Sequence, residues 1–255
     1  MKIVKVNISL LLLLFVFIFS SCVPSKKIIY LQGQQNPNNA ASNYEPLIQQ
    51  DDMLYIHVSS TVNEAVTPFN IDSQSVGNSG GSFDSQKQSY LVDNSGNIEF
   101  PILGTINVGG YSLNKLKEIL KEKLLVYVKD PVINIRLLNF KVTVLGEVAN
   151  PGMVPVTSQR ITVLEAIAAA GDLTPYGKRD NILLIREYQG VKTYNRIDLT
   201  KAEFVNSPFY YLDQNDVIYV EPRKTKIDST AIGPNVTAAI SILGFVLTTA
   251  LILIR

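Results

Sequence analysis

The sequence predicts an α+β protein: two small mixed α/β domains in succession, then a C-terminal transmembrane helix. Three observations carry this. Short stretches such as Met53 to Val58 and Val132 to Leu137 alternate apolar and polar residues, the period of half-buried strands. Two stretches between such strands have helical spacing and capping residues at their starts. No charged residue occurs from Ser229 to Ile254.

The first element is an export signal over residues 1–21. Lys2 and Lys5 form a basic start, Ile8 to Phe19 an uncharged run, and Ser20-Ser21 a small-residue stretch before Cys22. Cys22 is the sole cysteine, and Phe-Ser-Ser-Cys resembles the bacterial lipobox, whose thiol receives diacylglycerol. The competing reading is an ordinary buried thiol, which leaves its place at the end of the apolar run unexplained. Val23 follows, not the aspartate that holds many lipoproteins in the inner membrane of Gram-negative bacteria.

Lys and Arg number 23 against 22 Asp and Glu, so no charge excess points to nucleic acid or an acidic partner. One cysteine excludes an internal disulfide framework. Residues 22–43, with Gln32-Gly-Gln-Gln-Asn-Pro-Asn-Asn39, are polar and aperiodic and read as a flexible tether.

Residues 44–140 form the first domain. Met53 to Val58 is its first strand, and it carries His57, the only histidine, without acidic or cysteine neighbours at ligand spacing. Residues 59–89, rich in Ser, Gly, Gln and Asn, read as one long mobile excursion. Order resumes at Tyr90, turns at Asp93 to Gly96, and continues through Ile98-Glu-Phe-Pro-Ile-Leu-Gly104. Ser112 caps a helix running to about Leu124, with Leu113, Leu116, Ile119, Leu120 and Leu124 on one face. Asp130-Pro131 breaks the chain before the strand at Val132.

Residues 141–222 form the second domain. Lys141 to Glu147 is a strand, Asn150-Pro151-Gly152 a turn, and Thr162-Val-Leu-Glu165 a capping box. The helix that follows stops at Gly171, and Ile182 to Arg186 and Val217 to Val220 supply later strands. Asp52-Met-Leu-Tyr-Ile and Asp216-Val-Ile-Tyr-Val share one pattern, each where a strand leaves a turn.

Residues 229–255 are the expected transmembrane helix. Val236 to Ile254 is uncharged and rises about 28 Å as a helix, close to the hydrocarbon thickness. Pro234 suits its first turn, and Arg223, Lys224, Lys226 and Arg255 flank it. Thr237, Ser241, Gly244 and Thr248 fall on one face, a seam suited to close helix packing in lipid or to lining a pore. The alternative is that these hydroxyls bond back to their own helix.

Several segments resemble a known family. Tyr44 to Val58, Asn94 to Gly104 and Asp130-Pro-Val-Ile-Asn-Ile are similar to the polysaccharide export domain. Val144-Leu-Gly-Glu-Val-Ala-Asn-Pro-Gly152, Thr162 to Gly171 and Leu212 to Val220 resemble the soluble ligand-binding β-grasp (SLBB) domain. The whole order resembles the Wza-type outer-membrane polysaccharide export lipoproteins. This resemblance makes the two domains mixed and β-grasp-like, and marks Asp52, Gly96, Pro101, Gly104, Asp130, Pro131, Gly146, Pro151, Gly152, Gly171 and Asp216 as structural or assembly motif positions. It implies an outer-membrane, lipid-anchored protein with periplasmic domains, assembled with copies of itself into a ring, commonly an octamer. A polysaccharide would pass through, and an inner-membrane polysaccharide co-polymerase would dock beneath. The family's Pro-Gly-Asp is here Gln50-Asp51-Asp52, and the terminal helix lacks tryptophan.

No enzyme is expected. Asp51 and Asp52 are adjacent, which does not make the converging carboxylates of glycoside hydrolysis. No cofactor or metal is expected. The rival is a non-conducting carbohydrate-binding or scaffolding envelope lipoprotein, with Tyr176, Tyr188, Tyr194, Phe209, Tyr210 and Tyr211 as candidate sugar-stacking groups.

Overall fold

The computed structural model describes residues 28–33, 44–70, 89–188, 190–231 and 234–253. The signal, Cys22 and most of the expected tether lie outside them.

Two hydrophobic cores organise the body. The first is built from β1 (Met53–Ser59), β2 (Ser89–Leu91), β3 (Asn97–Phe100), β4 (Gly104–Asn107), helix α2 (Leu113–Leu124) and β5 (Val132–Leu137), with a short helix α1 (Asn63–Val66) after β1. The order β2-β1-β5 is antiparallel throughout, and β3 and β4 form a separate hairpin. Alternation along β1 buries Leu54, Ile56 and Val58, and these meet Leu116, Leu120 and Leu124 of α2 in the same core. Ser112 caps α2 as its sequence position requires, accepting from Lys115 N at 3.2 Å.

The second core lies under a five-stranded sheet ordered β10-β9-β12-β6-β7, from β6 (Lys141–Gly146), β7 (Gly152–Pro155), β9 (Gly177–Tyr188), β10 (Val191–Ile197) and β12 (Val217–Pro222). Only β12 and β6 are parallel. Helix α3 (Val163–Ala169) packs into this core through Val163, Ala166 and Ile167. Its capping box is complete: Glu165 N donates to Thr162 Oγ1 at 3.1 Å, and Thr162 N donates to the Glu165 carboxylate at 2.7 Å. β8 (Ile161–Thr162) and β11 (Tyr211–Leu212) form a separate two-stranded antiparallel ladder.

Three expectations are corrected. The excursion from residue 59 is ordered at its start: α1 and a 3₁₀ turn at Thr67–Phe69 bury Val66 and Phe69, and the Asn70 side chain bonds both Val58 N and Val58 O at 2.9 Å. A polar composition had concealed two apolar anchors. The tether is fixed at residues 28–33, where Leu31 N donates to Leu199 O at 3.0 Å and Ala202 N to Gln32 O at 2.9 Å. Its Ile28-Ile-Tyr-Leu31 quartet is apolar despite the polar stretch that follows.

The third correction concerns the transmembrane helix expected over 229–255. Helix α4 (Lys224–Ala231) takes up the start of that span, and α5 (Pro234–Leu253) is a separate helix. A proline has no N–H for the i→i−4 ladder, so Pro234 starts a helix and does not continue one. Among the described residues no helix is long and apolar enough to cross a membrane.

Candidate functional site

Two turns and the residue between them join the cores. In the first, Gln49 to Asp52, the Asp52 carboxylate accepts from Gln49 N at 2.8 Å. Asp51 sits at φ 64°, the conformation for which glycine is the usual residue, so the turn keeps the geometry that a Pro-Gly-Asp sequence would give. Asp52 is buried, and among the described residues its Oδ1 has no hydrogen-bond partner. Burial raises its carboxyl to about 7; the Gln49 N–H opposes this and the neighbouring Asp51 charge adds to it.

The second turn, Asp213 to Asp216, has the same form. Asp216 Oδ2 accepts from Asp213 N at 2.8 Å, and Asn215 sits at φ 66°. Here the buried carboxylate is paired: Arg186 Nε lies 3.1 Å from both oxygens and Nη2 lies 2.6 Å from Oδ2. Arg186 also reaches Asp213 at 2.9 Å and Tyr211 O at 2.9 Å. Burial raises Asp216 to about 6 despite the guanidinium.

Asn139 bridges the turns. Its Oδ1 accepts from Met53 N at 2.9 Å, its Nδ2 donates to Asp51 O at 2.8 Å, and its carbonyl accepts from Gln214 Nε2 at 2.8 Å. Gln214 is buried, and its Oε1 accepts from Lys141 N at 2.8 Å. Tyr44 closes the joint from the side. It stacks on Tyr211 with ring centres 4.9 Å apart, and its hydroxyl donates to Leu212 O at 2.9 Å and to the Asp213 carboxylate. Burial, with Asp213 beside it, holds that phenol well above the usual tyrosine range.

The other motif positions are spread over turns. Gly96 ends the Asp93 turn at φ 78°, where Asp93 Oδ1 accepts from Ser95 N and Asn97 N at 2.8 Å. Pro101 opens the β3–β4 turn and Gly104 closes it. Asp130 is exposed and Pro131 buried just before β5. Pro151 lies between β6 and β7, and Gly152 opens β7. Gly146 and Gly171 are the positions where bulk is excluded. A Cβ on Gly146 would lie 2.1 Å from Val220 O, and one on Gly171 2.7 Å from Asn150 Nδ2. His57 faces solvent beside Tyr55, and among the described residues no three acidic, histidine or cysteine side chains form a metal-holding group.

In α5, Ser241, Gly244 and Thr248 are exposed, while the Thr237 side chain lies outside the described ones. Thr248 Oγ1 donates to Gly244 O at 2.5 Å, the back-bonding that competes with a seam role. Of the candidate stacking groups, Tyr176, Tyr188 and Tyr194 are exposed, whereas Phe209 and Tyr210 pack against the second core.

Sequence reasoning missed Asn139, Gln214 and Arg186. The repeated Asp-x-apolar-Tyr pattern was the available signal. It marked two equivalent turns, but not the residues placed between them in space.

Comparison with known proteins bears on these two units. Residues 40–138 match the family of polysaccharide biosynthesis/export proteins, and residues 140–220 match the SLBB domain. One relative is the EPS I polysaccharide export outer membrane protein EpsA of Ralstonia nicotianae (strain ATCC BAA-1114 / GMI1000). It is 34% identical over 101 residues, 38% of this chain and 26% of that protein. The protein of the same name from Ralstonia solanacearum is 27% identical over 139 residues, 53% of this chain and 36% of that protein. The chain thus spans about a quarter to a third of the length of these curated relatives. With an export domain followed directly by an SLBB domain, and with relatives of this kind, the chain belongs to the Wza-type polysaccharide export proteins.

Proposed function

We propose that this protein is an outer-membrane subunit for export of a capsular or extracellular polysaccharide, assembled with copies of itself into a ring. Proteins of this family are transport components and not enzymes. The observation that carries the reading is the uninterrupted succession of the two matched domains over residues 40–220. The joint at Asn139 supports it, because a wall segment of a conduit must hold its two units in one orientation. Both named relatives are outer membrane proteins, which favours that membrane.

In this reading Cys22 carries the lipid, and the apolar C-terminal helix packs against neighbouring copies in the ring. The exposed Ile240, Ile242, Leu243, Phe245 and Val246 give that helix an apolar surface for such packing. The Ser241 and Gly244 face would then meet a neighbouring copy, and an inner-membrane polysaccharide co-polymerase would dock below the periplasmic units. The motif glycines, prolines and aspartates act by shaping turns that set the assembled geometry.

The test is the mass and shape of the detergent-extracted protein, together with surface polysaccharide in a deletion strain. A ring several times the chain mass and loss of polysaccharide are expected. A monomer with unchanged surface polysaccharide overturns the proposal in favour of a non-conducting binding protein.

A further inference from the structure

The β2-β1-β5 sheet of the first unit turns one face to the core and the other to solvent. β1 is its central strand. Leu54, Ile56 and Val58 point inward and are buried, which puts the half-buried Tyr55 and the exposed His57 on the outer face. Their two rings lie in near-parallel planes, 8° apart, with centres 6.3 Å apart. On β5, Arg136 is the register partner of Tyr55 and Asn134 that of His57, and both are exposed. Directly opposite residues on one face stand about 5 Å apart at Cβ, so the Arg136 and Asn134 side chains start beside the two rings. Leu91, opposite Met53, and Val132, opposite Ser59, extend the face at its two ends and are 61% and 62% exposed.

The charge on this face is one-sided. None of the three strands carries Asp or Glu. Arg136 enters none of the ion pairs among the described residues. In the second unit, by contrast, Lys178, Arg186 and Arg196 are each matched by a carboxylate. An unmatched guanidinium offers a planar fork of N–H donors that fits a carboxylate with two parallel bonds. Aromatic rings present an electron-rich face to the C–H groups of a sugar ring. The Asn134 amide adds both donors and an acceptor for hydroxyls. An acidic saccharide answers all three at once, with a carboxylate, ring C–H faces and hydroxyls. A neutral one would desolvate the guanidinium without supplying an anion.

We propose that the outer face of the β2-β1-β5 sheet is a binding strip for an acidic saccharide. Tyr55 and His57 stack on sugar rings, Arg136 pairs with a uronate carboxylate, and Asn134 bonds hydroxyls. The inference rests on the polysaccharide reading above and deepens it by naming the charge class of the polymer and the first unit's contact with it.

The experiment uses the full detergent-extracted chain and two probes, a galacturonate hexamer and cellohexaose, titrated by calorimetry at low salt. Light scattering on the same samples gives the assembly mass. The galacturonate hexamer should bind the more tightly. Arg136→Gln should weaken it about tenfold while leaving cellohexaose unchanged. Tyr55→Leu and His57→Ala should each weaken both probes about threefold or more. His57 is exposed, so its variant keeps the sheet even where Tyr55→Leu unsettles it. No binding of the galacturonate hexamer, or equal binding by Arg136→Gln and the unsubstituted chain, overturns the strip. Loss of binding in Tyr194→Ala of the second unit, with the three first-unit variants unchanged, also overturns it. A lower assembly mass in Arg136→Gln and His57→Ala, with binding intact, makes the face a contact between copies and overturns it as well. A ring that binds neither probe sinks this inference alone. A monomer whose Arg136→Gln variant loses the galacturonate hexamer leaves the strip standing while the ring fails.

Discussion

Asp52 and Asp216 close the same turn in the two units. Each carboxylate accepts the N–H three residues back at 2.8 Å, and each follows a residue at positive φ, Asp51 and Asn215. They differ in what faces them. Arg186 pairs with Asp216, whereas Asp52 Oδ1 has no partner among the described residues.

That difference predicts unequal costs for the same change. Asp216→Asn leaves a half-buried guanidinium without its main anion and should cost about 3 kcal/mol or more. Asp52→Asn keeps an acceptor for Gln49 N and removes a buried charge, so it should cost about 1 kcal/mol or less. Thermal unfolding of the two variants measures this. Equal losses would show that Arg186 is not what distinguishes the turns.

The same carboxylates set a pH dependence. Burial raises Asp52 from 3.8 to about 7 and Asp216 from 3.8 to about 6. The folded state thus binds protons that the unfolded state has released. Stability is therefore greatest below pH 4 as far as these two groups are concerned, and it falls as pH rises, until about 6 for Asp216 and about 7 for Asp52. The opposite contributions, from the lowered carboxyls of Glu147 and Glu221, act below about pH 4.5. Denaturant titrations from pH 4.5 to 7.5 should show declining stability, and Asp52→Asn should flatten the slope. An unchanged slope in that variant refutes the assignment to Asp52.

Much of this was legible in the sequence, and the reasons are local. Ser112, Thr162 with Glu165, and the alternation of Met53 to Val58 each specify an element through neighbours a few positions away. The joint was not legible, because Asn139 works through contacts to residues 51, 53 and 214 that no local pattern encodes. The anchoring of the tether at Tyr30 was hidden for the same reason, its partners being Asp172 and Arg179. The Asp51 departure lies between these cases. It looked like a changed turn, yet Asp tolerates positive φ well enough to preserve the backbone. Asp51→Gly should accordingly raise thermal stability, by about 0.5–1 kcal/mol, the balance of relieved strain against added unfolded-chain freedom. A lower melting temperature would mean that the Asp51 side chain supports the turn.

Gly146 predicts a sharper loss. At φ 89° its Cβ would meet the Val220 carbonyl oxygen at 2.1 Å, where β6 and β12 end their pairing. Main chain cannot yield as a flexible side chain does, so Gly146→Ala should cost about 3 kcal/mol or more. Gly104, at φ 70° with nothing within 4 Å of a built Cβ, is the control, and its alanine variant should lose only about 1 kcal/mol. Urea midpoints compare the two, and similar losses would mean that backbone conformation alone explains both.

Asn139→Ala tests the joint itself. It deletes the bonds to Met53 N and Asp51 O but leaves the residue's carbonyl for Gln214, so the second unit keeps its own turn intact. Met53 N and Asp51 O then lose their partner, which should destabilise the first unit by about 1–3 kcal/mol. The Tyr44–Tyr211 stack remains but cannot by itself couple the cores as tightly. Calorimetry should therefore resolve one transition into two, the earlier belonging to the first unit. A single transition shifted as a whole would mean that Tyr44, not Asn139, makes the two cores unfold together, and Tyr44→Ala would then be the variant that separates them.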